Sequence, residues 1–428
     1  MPGFLSDRDL RRKILVVVGL VALYRVGVAV PAPGVSYDAV RACETASGSS
    51  ALAGLVDMLS GGALLQLSVL SLGVIPYLTA SIIVQLLGAV VPRLEQLRRE
   101  GQSGQARVTQ YTRYVTVGLA ALQGIGLATL ASSPGTLFPG CTASLLATDT
   151  IAAKALIVLA VTAGAMLVMW MGETITSRGI GNGVSMLIMV SILASMPGQM
   201  LAVLSSSGSL KTVVVAVIGV AVVAAVVFME LGQRRIPVQY SNGATVHSAA
   251  RPAARSYLPL KVNMAGVVPV IFASSLLYLP VLIVSVSGST SGWARWVSAH
   301  LSTGADPIYL SIYVLLIVFF TFFYTAITFN PVDTADDLAR AGGFIPGYRP
   351  GLPTAMYLDY VLTRLGVPGS LYLAAVAIVP TLVLASPGSG MGALFGGTSL
   401  LIVVGVSLDT VKAARAQRAQ SSYTALLT

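Results

Sequence analysis

Ten long apolar stretches constrain the fold of this chain more than any other feature. Each is about 20 residues long, the length with which an α-helix crosses the hydrocarbon core of a bilayer. Hydrophobic residues form 55% of the 428 and charged residues only 10%, which leaves too little polar surface for a water-soluble fold. We therefore predict an all-α membrane protein with ten transmembrane helices, at 14–31, 72–92, 114–133, 151–171, 183–201, 212–230, 263–287, 308–329, 367–386 and 393–411.

The basic residues predict how the spans are oriented. Cytoplasmic loops of membrane proteins carry an excess of Lys and Arg. With the N-terminus inside, 21 of the 26 Lys and Arg residues fall in cytoplasmic loops and four in outside loops. We therefore expect both termini to be cytoplasmic.

Ten spans divide into two sets of five, the N-terminal half 1–205 and the C-terminal half 206–428. An odd number of spans in each set places the second half upside down relative to the first. Inverted repeats of this kind put a functional path between the halves, near the middle of the membrane. This interpretation depends on parity alone, and a plain ten-helix bundle is the alternative.

The segment 52–68 is apolar but too short to cross the membrane, and Gly61 and Gly62 interrupt it. A short apolar segment joined to a span is typical of a re-entrant element, whose irregular backbone needs protein or a wet cavity around it. The alternative, equally open, is an interfacial helix on the outer leaflet.

Two cytoplasmic loops, 231–262 and 330–366, are much longer than the roughly 2–8 residues that a helix connection needs. Long charged loops usually serve a partner or a gate. The alternative is a basic surface that fixes the topology and contacts anionic lipid.

Motifs for catalysis or for a cofactor are absent from the sequence. The glycines at 179–183 open a spanning helix and do not form a phosphate-binding loop. His247 and His300 have no Cys or carboxylate at metal-ligand spacing. We expect no enzymatic activity, no cofactor and no metal, and the spans also lack the central carboxylate that ion-coupled transport ordinarily needs.

Three further residues attract attention. Arg25 lies inside the first span, and we interpret it as a structural Arg that snorkels or pairs with the backbone. Cys43 and Cys141 fall in outside loops, where a disulfide is permitted. Because the sequence does not give the distance between them, we expect two unpaired thiols.

Aliphatic pairs one helical turn apart occur in two spans. Val74 and Leu78 form one pair, and Val184 and Ile188 form another. Apolar constrictions gate channels by dewetting. Such pairs are far more often ordinary packing, however, and on periodicity alone packing is preferred.

At these same residues the chain closely resembles the SecY/Sec61-alpha family, the pore-forming subunits of protein-conducting channels. No single string is a catalytic signature, but eight in register are highly specific. The strings are YRVGVAVPAPG (24–34), SGGALLQLSVLSLGVIPYLTASIIVQLL (60–87), REGQSGQARVTQYTRY (99–114), MGETITSRGIGNGVS (171–185), ELGQRRIPVQY (230–240), LPLKVNMAGVVPVIFASS (258–275), FFYTAITFNPVDTADDLARAGGFIPGYRPG (322–351) and FGGTSLLIVVGVSLD (395–409).

The resemblance implies an hourglass pore with three parts. A ring of aliphatic side chains at the waist would seal around a translocating chain, and its members would be Val74, Leu78, Val184, Ile188, Ile271 and Ile402. A re-entrant plug would close the outer funnel around Ser60, Gly61 and Gly62. A lateral gate between the second and seventh spans would open toward lipid at Thr79, Gln85 and Leu279.

The resemblance also implies a docking surface for the SecA motor or a ribosome on the cytoplasmic loops. Its candidate residues are Arg234, Arg235, Arg251, Arg255, Arg340 and Arg349. Arg349, in the GYRPG turn, is the preferred one. Other implied partners are SecE and SecG, signal peptides, unfolded preproteins, anionic lipid and a second copy of the channel.

The function implied by the resemblance is that of a translocase subunit in the bacterial plasma membrane. It would move unfolded, signal-bearing polypeptides outward and release transmembrane segments sideways into lipid, without ATPase activity of its own. The alternative is a secondary transporter for a small solute, which shares inverted halves and interrupted helices. That alternative predicts a polar binding site near the middle of the membrane.

Overall fold

The computed structural model describes residues 8–47, 60–132, 145–146, 148, 150–240, 256–287, 291–301, 306–384 and 397–427. Helices account for most of them: α1 (Arg8–Val28), α2 (Tyr37–Ser47), α3 (Ile75–Val90), α4 (Pro92–Arg99), α5 (Gln102–Ser132), α6 (Ile151–Arg178), α7 (Gly183–Leu231), α8 (Val268–Ser287), α9 (Gly292–His300), α10 (Pro307–Thr328), α11 (Pro331–Arg340), α12 (Leu352–Leu384) and α13 (Gly397–Leu427). Three strands complete the fold: β1 (Gln233–Tyr240), β2 (Ser256–Lys261) and β3 (Gly343–Phe344).

The helices occupy the predicted spans. Within the described residues, five helical stretches are long and apolar enough to cross a membrane, and they contain α5, α6, α10, α12 and α13. Shorter apolar helices lie at Ile75–Gly88, Gly183–Gly198, Ala216–Leu231 and Val268–Val281. Together with α1, these segments overlap all ten predicted spans.

The predicted fifth and sixth spans lie in one helical element, α7, and not in two helices joined by a loop. If straight, its 49 residues would extend about 74 Å. Yet Gly181, just before α7, lies beside Thr410. Gln233, just after α7, pairs with Lys261 in the sheet, and Lys261 Nζ lies 3.6 Å from Asp409 Oδ1. Because both ends of α7 reach the same region, the element folds back and runs across the molecule twice.

A small antiparallel sheet, which the sequence analysis does not foresee, joins the two long loops. Its strand order is β2-β1-β3. β1 pairs with β2 along most of its length and with β3 through its last two residues. The part of the fold that spans the membrane is all-α, as predicted. We call the end of the molecule that carries these strands the sheet side.

Helices from both predicted halves pack against each other. α3 and α5 of the first half contact α8, and α13 contacts α7 and α1. One large cluster of buried apolar side chains includes residues from both halves. The predicted boundary after residue 205 falls within α7, and the division into two halves stays a prediction.

Cys43 is disulfide-bonded, so the expectation of unpaired thiols is wrong. The other cysteine of the sequence, Cys141, lies outside the described residues. The backbone N–H of Ser36 donates a hydrogen bond to the Leu145 carbonyl at 2.9 Å, which brings the chain before α2 next to the chain that follows Cys141. This tertiary contact provides the proximity that the sequence does not reveal.

Gly164 of α6 provides a test of the packing, because a Cβ there would lie 2.0 Å from the Val69 carbonyl oxygen. We expect Gly164→Ala to lower the free energy of unfolding by about 1–3 kcal/mol, since backbone must move to relieve the overlap. Thermal unfolding in mild detergent measures the effect. Gly118→Ala on α5 is the matched control, because open space surrounds that residue. Equal destabilisation of both variants would contradict the close contact between α6 and Val69.

Candidate functional site

The turn between α6 and α7 positions the first residues of α7. Gly181 has a φ of +75°, a backbone conformation that Gly adopts without steric cost. The Asn182 side chain caps α7 by accepting hydrogen bonds from Val184 N at 3.1 Å and from the next backbone N–H at 3.2 Å. A Cβ on Gly183 would lie 2.1 Å from a backbone oxygen of α6. This close packing fixes where Val184 and Ile188 stand on the interior face of α7.

The six residues predicted for the aliphatic ring lie in or against one large apolar cluster. Five of them belong to the same buried cluster and are between 1% and 8% exposed, and Leu78 packs against that cluster. They come from α7, α8, α13 and the start of α3. The same cluster contains many other side chains, so burial alone does not separate a pore ring from ordinary packing. Their role as a ring stays a prediction.

A cavity of about 640 Å³ distinguishes some of these residues from the rest of the core. Leu78, Val184 and Ile271 form part of its wall. The wall on the sheet side includes polar residues of α3, α5 and α6 and the turn before α7, among them Ser81, Gln85, Thr109, Arg113, Glu173 and Asn182. The cavity is therefore a vestibule whose wall combines polar side chains with aliphatic side chains of the predicted ring.

An ion pair that the sequence analysis missed lies in the wall of this vestibule. Arg113 Nε donates to Glu173 Oε1 at 3.0 Å, and Nη2 donates to Oε2 at 2.6 Å. Both side chains reach solvent, with 47% and 21% exposed, so we expect a contribution of at most about 1 kcal/mol. No local pattern indicates this pair, because the partners are 60 residues apart and on different helices.

The described part of the predicted plug, residues 60–68, forms turns inside the protein. Ser60 and Ala63 are 0% exposed, which favours the re-entrant interpretation over a helix on the leaflet. Gly61 and Gly62 have φ values of +74° and +92°, where residues with a Cβ are strained. Residues 52–59 lie outside the described residues, and the role of this segment as a plug stays a prediction.

Arg25 holds the re-entrant segment through its backbone. The Arg25 Nη1 donates a hydrogen bond to the carbonyl oxygen of Gly61 at 3.0 Å. The interpretation of this residue as a backbone-paired structural Arg is thereby confirmed. A charged group inside a span is costly unless it is paired, and this bond provides one partner.

The three predicted gate residues lie on two helices that pack together, α3 and α8. Thr79 Oγ1 donates to the Ile75 carbonyl at 3.0 Å, and Gln85 Nε2 donates to Ser81 Oγ at 3.0 Å. Leu279 is half-buried on α8. α3 and α8 both line the vestibule, and the gating role of these residues stays a prediction.

Four of the six predicted docking residues are described, and all four are exposed on the sheet side. Arg234 and Arg235 lie on β1, and the Arg235 guanidinium stacks over the Tyr257 ring at 4.8 Å. Arg340 ends α11. Arg251 and Arg255 lie outside the described residues.

Arg349 occupies a turn between β3 and α12 that two tertiary contacts hold. The Tyr348 ring stacks on the Tyr357 ring with a centroid distance of 4.2 Å. The Thr354 hydroxyl donates to the Arg349 carbonyl at 2.8 Å. These contacts hold the backbone on both sides of the guanidinium, which itself points to solvent. The docking role of Arg349 stays a prediction.

Ser185 and Ile188, one turn apart on α7, test where the vestibule ends. Ser185 lines it, whereas Ile188 is 1% exposed. A water-soluble maleimide should label Ser185→Cys rapidly and leave Ile188→Cys unlabelled until the protein is denatured. Mass spectrometry measures the labelled fraction, with the unsubstituted chain as the background. Equal labelling rates would show that water passes beyond the aliphatic side chains.

Comparison with known sequences places the chain in a family. The SecY family model matches residues 68–411. The chain is 50% identical to the protein translocase subunit SecY of Streptomyces scabiei over 426 residues, which cover 98% of this chain and 97% of that protein. It is also 50% identical to the protein translocase subunit SecY of Mycobacterium leprae over 430 residues, with 98% and 97% covered.

Solved structures share the fold at low identity. A protein-conducting channel matches with a TM-score of 0.67 at 16% identity, and covers 97% of this chain and 94% of its own. A SecY structure matches with a TM-score of 0.65 at 16% identity and with the same coverage. Its plug domain is described as stabilising the closed state of the translocation channel. Sec61 in a canine ribosome–channel complex matches with a TM-score of 0.62 at 17% identity, and the match covers 97% of this chain and 94% of that one. The chain belongs to the SecY family.

Proposed function

We propose that this chain is the pore-forming subunit of a bacterial protein translocase. It moves unfolded, signal-bearing polypeptides across the plasma membrane and releases apolar segments sideways into lipid. The observation that carries the proposal is a vestibule lined by polar side chains and by buried aliphatic side chains of the predicted ring, together with a buried re-entrant segment that lies against α7. A hydrated polypeptide can enter such a vestibule, and a closed layer keeps ions out.

The aliphatic side chains suit the passage of many different sequences. Val, Leu and Ile side chains have no hydrogen-bonding groups, so a translocating chain has nothing there to bind. A narrow apolar constriction also expels water. Ions do not cross it, because they would have to lose their hydration shells there. The six predicted ring residues therefore combine a seal with low adhesion. A small-solute transporter would instead need polar groups at this level, and the six residues predicted there are aliphatic.

Sideways release follows from the position of α3 and α8. Leu78 and Gln85 of α3 and Ile271 and Phe272 of α8 all line the vestibule, and the two helices contact each other. If they separate, the vestibule opens to lipid. A segment of about 20 apolar residues then leaves the channel for the bilayer because its transfer to lipid is favourable.

The sheet side is the cytoplasmic side in this proposal, because it carries the exposed Arg residues of both long loops. The family resemblance and the ribosome-bound Sec61 neighbour support docking of a SecA motor or a ribosome there. We propose that the chain has no ATPase activity and takes its energy from that partner. SecE and SecG complete the complex in this proposal.

Ile402 provides the test of the ring. Replacing Ile402 by Asn places a hydrogen-bonding group in the constriction and stabilises the wet, open pore. We expect a several-fold increase in the export of a reporter with a defective signal sequence. Ile402→Val is the control, because it keeps the site apolar and should leave export unchanged. Absence of any increase with Asn would count against an apolar seal at this level.

Arg349 provides the test of docking. Its planar guanidinium makes bidentate contacts that a Lys ammonium does not. We expect Arg349→Glu to abolish motor-driven export and Arg349→Lys to reduce it, with the amount of folded protein unchanged. The measurement is ATP-dependent uptake of a secretory precursor into vesicles, normalised to channel content.

Arg295→Glu is the matched control for Arg349→Glu, since Arg295 is exposed and lies outside the cell in the proposed topology. The charge change is the same, but the motor does not reach that side. Uptake by Arg349→Glu at the rate of the unmodified channel would show that the turn does not contact the motor.

A further inference from the structure

We propose that the hydroxyl of Tyr24 is a latch that holds the re-entrant segment closed against α7, and that Ser191 releases it. This proposal rests on the proposed function, because the latch controls whether the resting pore leaks. Tyr24 is 0% exposed and Ser191 is 0% exposed. The latch therefore acts inside the protein, without competition from bulk water.

Tyr24 joins the re-entrant segment to α7 through one oxygen atom. Its hydroxyl donates to the carbonyl oxygen of Ser60 at 2.8 Å. The same oxygen lies 2.8 Å from Ser191 Oγ. Since Tyr24 belongs to α1 and Ser191 to α7, this one hydroxyl connects three separate parts of the chain.

The number of hydrogens makes the connection switchable. Ser191 Oγ also lies 2.9 Å from the Leu187 carbonyl, one turn earlier on α7. The hydroxyls of Tyr24 and Ser191 have one hydrogen each, so together they donate two hydrogen bonds. Three contacts compete for these two hydrogens: Tyr24 with Ser60, Tyr24 with Ser191, and Ser191 with Leu187. When Tyr24 donates to Ser60, Ser191 can donate to Tyr24. When the segment leaves, Tyr24 donates to Ser191, and Ser191 donates to Leu187.

The open state therefore leaves neither hydroxyl without a partner. A buried hydroxyl that loses its only partner is left with an unsatisfied donor in a dry environment, which destabilises the state, and this arrangement avoids that cost. What the open state loses is the bond from Tyr24 to the Ser60 carbonyl, which moves away with the segment. The two hydroxyls donate two bonds in either state, so the latch favours closure through the bond that the Ser60 carbonyl accepts, and it releases without an orphaned donor.

The neighbouring contacts show that the closed position is specific. Arg25, the next residue of α1, donates to the Gly61 carbonyl, so two successive residues of α1 hold two successive carbonyls of the segment. A Cβ on Gly61 would lie 3.1 Å from the Ser191 Cα atom. The segment backbone therefore lies directly against α7 at the position of the latch.

The latch is also placed to respond to a polypeptide in the pore. Ser191 lies three residues after Ile188, so both side chains project from nearby positions on α7. A chain that pushes Ile188 outward moves this part of α7 and lengthens the bond between Ser191 and Tyr24. Widening of the ring and release of the segment are thus linked through one helical turn.

Tyr24→Phe tests the latch because it removes the hydroxyl and keeps the ring that fills the core. We expect the ion conductance of the resting channel, reconstituted with its partner subunits in liposomes, to rise about 2- to 10-fold, the change that loss of one net hydrogen bond produces. Ser191→Ala should not raise it, since Tyr24 can still donate to Ser60 and loses the acceptor that it would use in the open state. The double variant should leak no more than Tyr24→Phe alone.

Tyr313→Phe on α10 is the matched control. Tyr313 is also buried, and within the described residues its hydroxyl has no hydrogen-bond partner. It should leave the conductance unchanged. An unchanged leak with Tyr24→Phe would overturn the latch, and so would an equal rise with Tyr313→Phe, because the cause would then be general loosening.

Precursor export separates failure of the latch from failure of the proposed function. If the unmodified channel exports precursor and Tyr24→Phe does not change the leak, the latch is wrong and the function stands. If the unmodified channel with its partners exports nothing, the proposed function fails, and the latch fails with it.

Discussion

The requirement that every backbone polar group find a partner at membrane depth shapes this structure more than any single contact. Helices meet it within themselves, so the fold there is almost entirely helical. Within the described residues, one exception is the turn-forming segment 60–74, some of whose carbonyl and N–H groups bond to the surrounding protein. Tyr24 and Arg25 of α1 supply two of those partners. An irregular segment of this kind is stable in a membrane only while such partners surround it, and this dependence also makes it movable.

Close packing of the helices depends on small residues rather than on a hydrophobic driving force, because lipid tails are as apolar as the core. α6 illustrates this at two places. Gly164 allows the backbone at Val69 to approach, and Gly183, just at the start of α7, lies against the carbonyl oxygen of Gly172. These contacts fix the re-entrant segment and the start of α7 against the same helix. The vestibule and the latch are therefore built on one rigid element.

The small sheet gives the polar end of the molecule a comparable rigidity. β1 continues from α7, and its pairing with β2 and β3 connects the two long loops. In the proposed function, a partner that binds the turn at Arg349 would act on strands that lead directly to α7 and α8. Both helices contribute residues to the vestibule wall.

The sequence by itself determined the membrane class, the approximate spans and the family, because hydrophobic length and long ordered strings are properties of consecutive residues. It also indicated the unusual nature of 52–68 from two glycines in a short apolar segment. Tertiary structure alone decided the disulfide bond of Cys43, the Arg113–Glu173 pair and the fold-back of α7. Each of these depends on which distant residues become neighbours, and such distances are set by helix packing. The three contacts that compete for the two hydroxyl hydrogens of Tyr24 and Ser191 depend on the same packing, since α1, α7 and the re-entrant segment meet only in the folded chain.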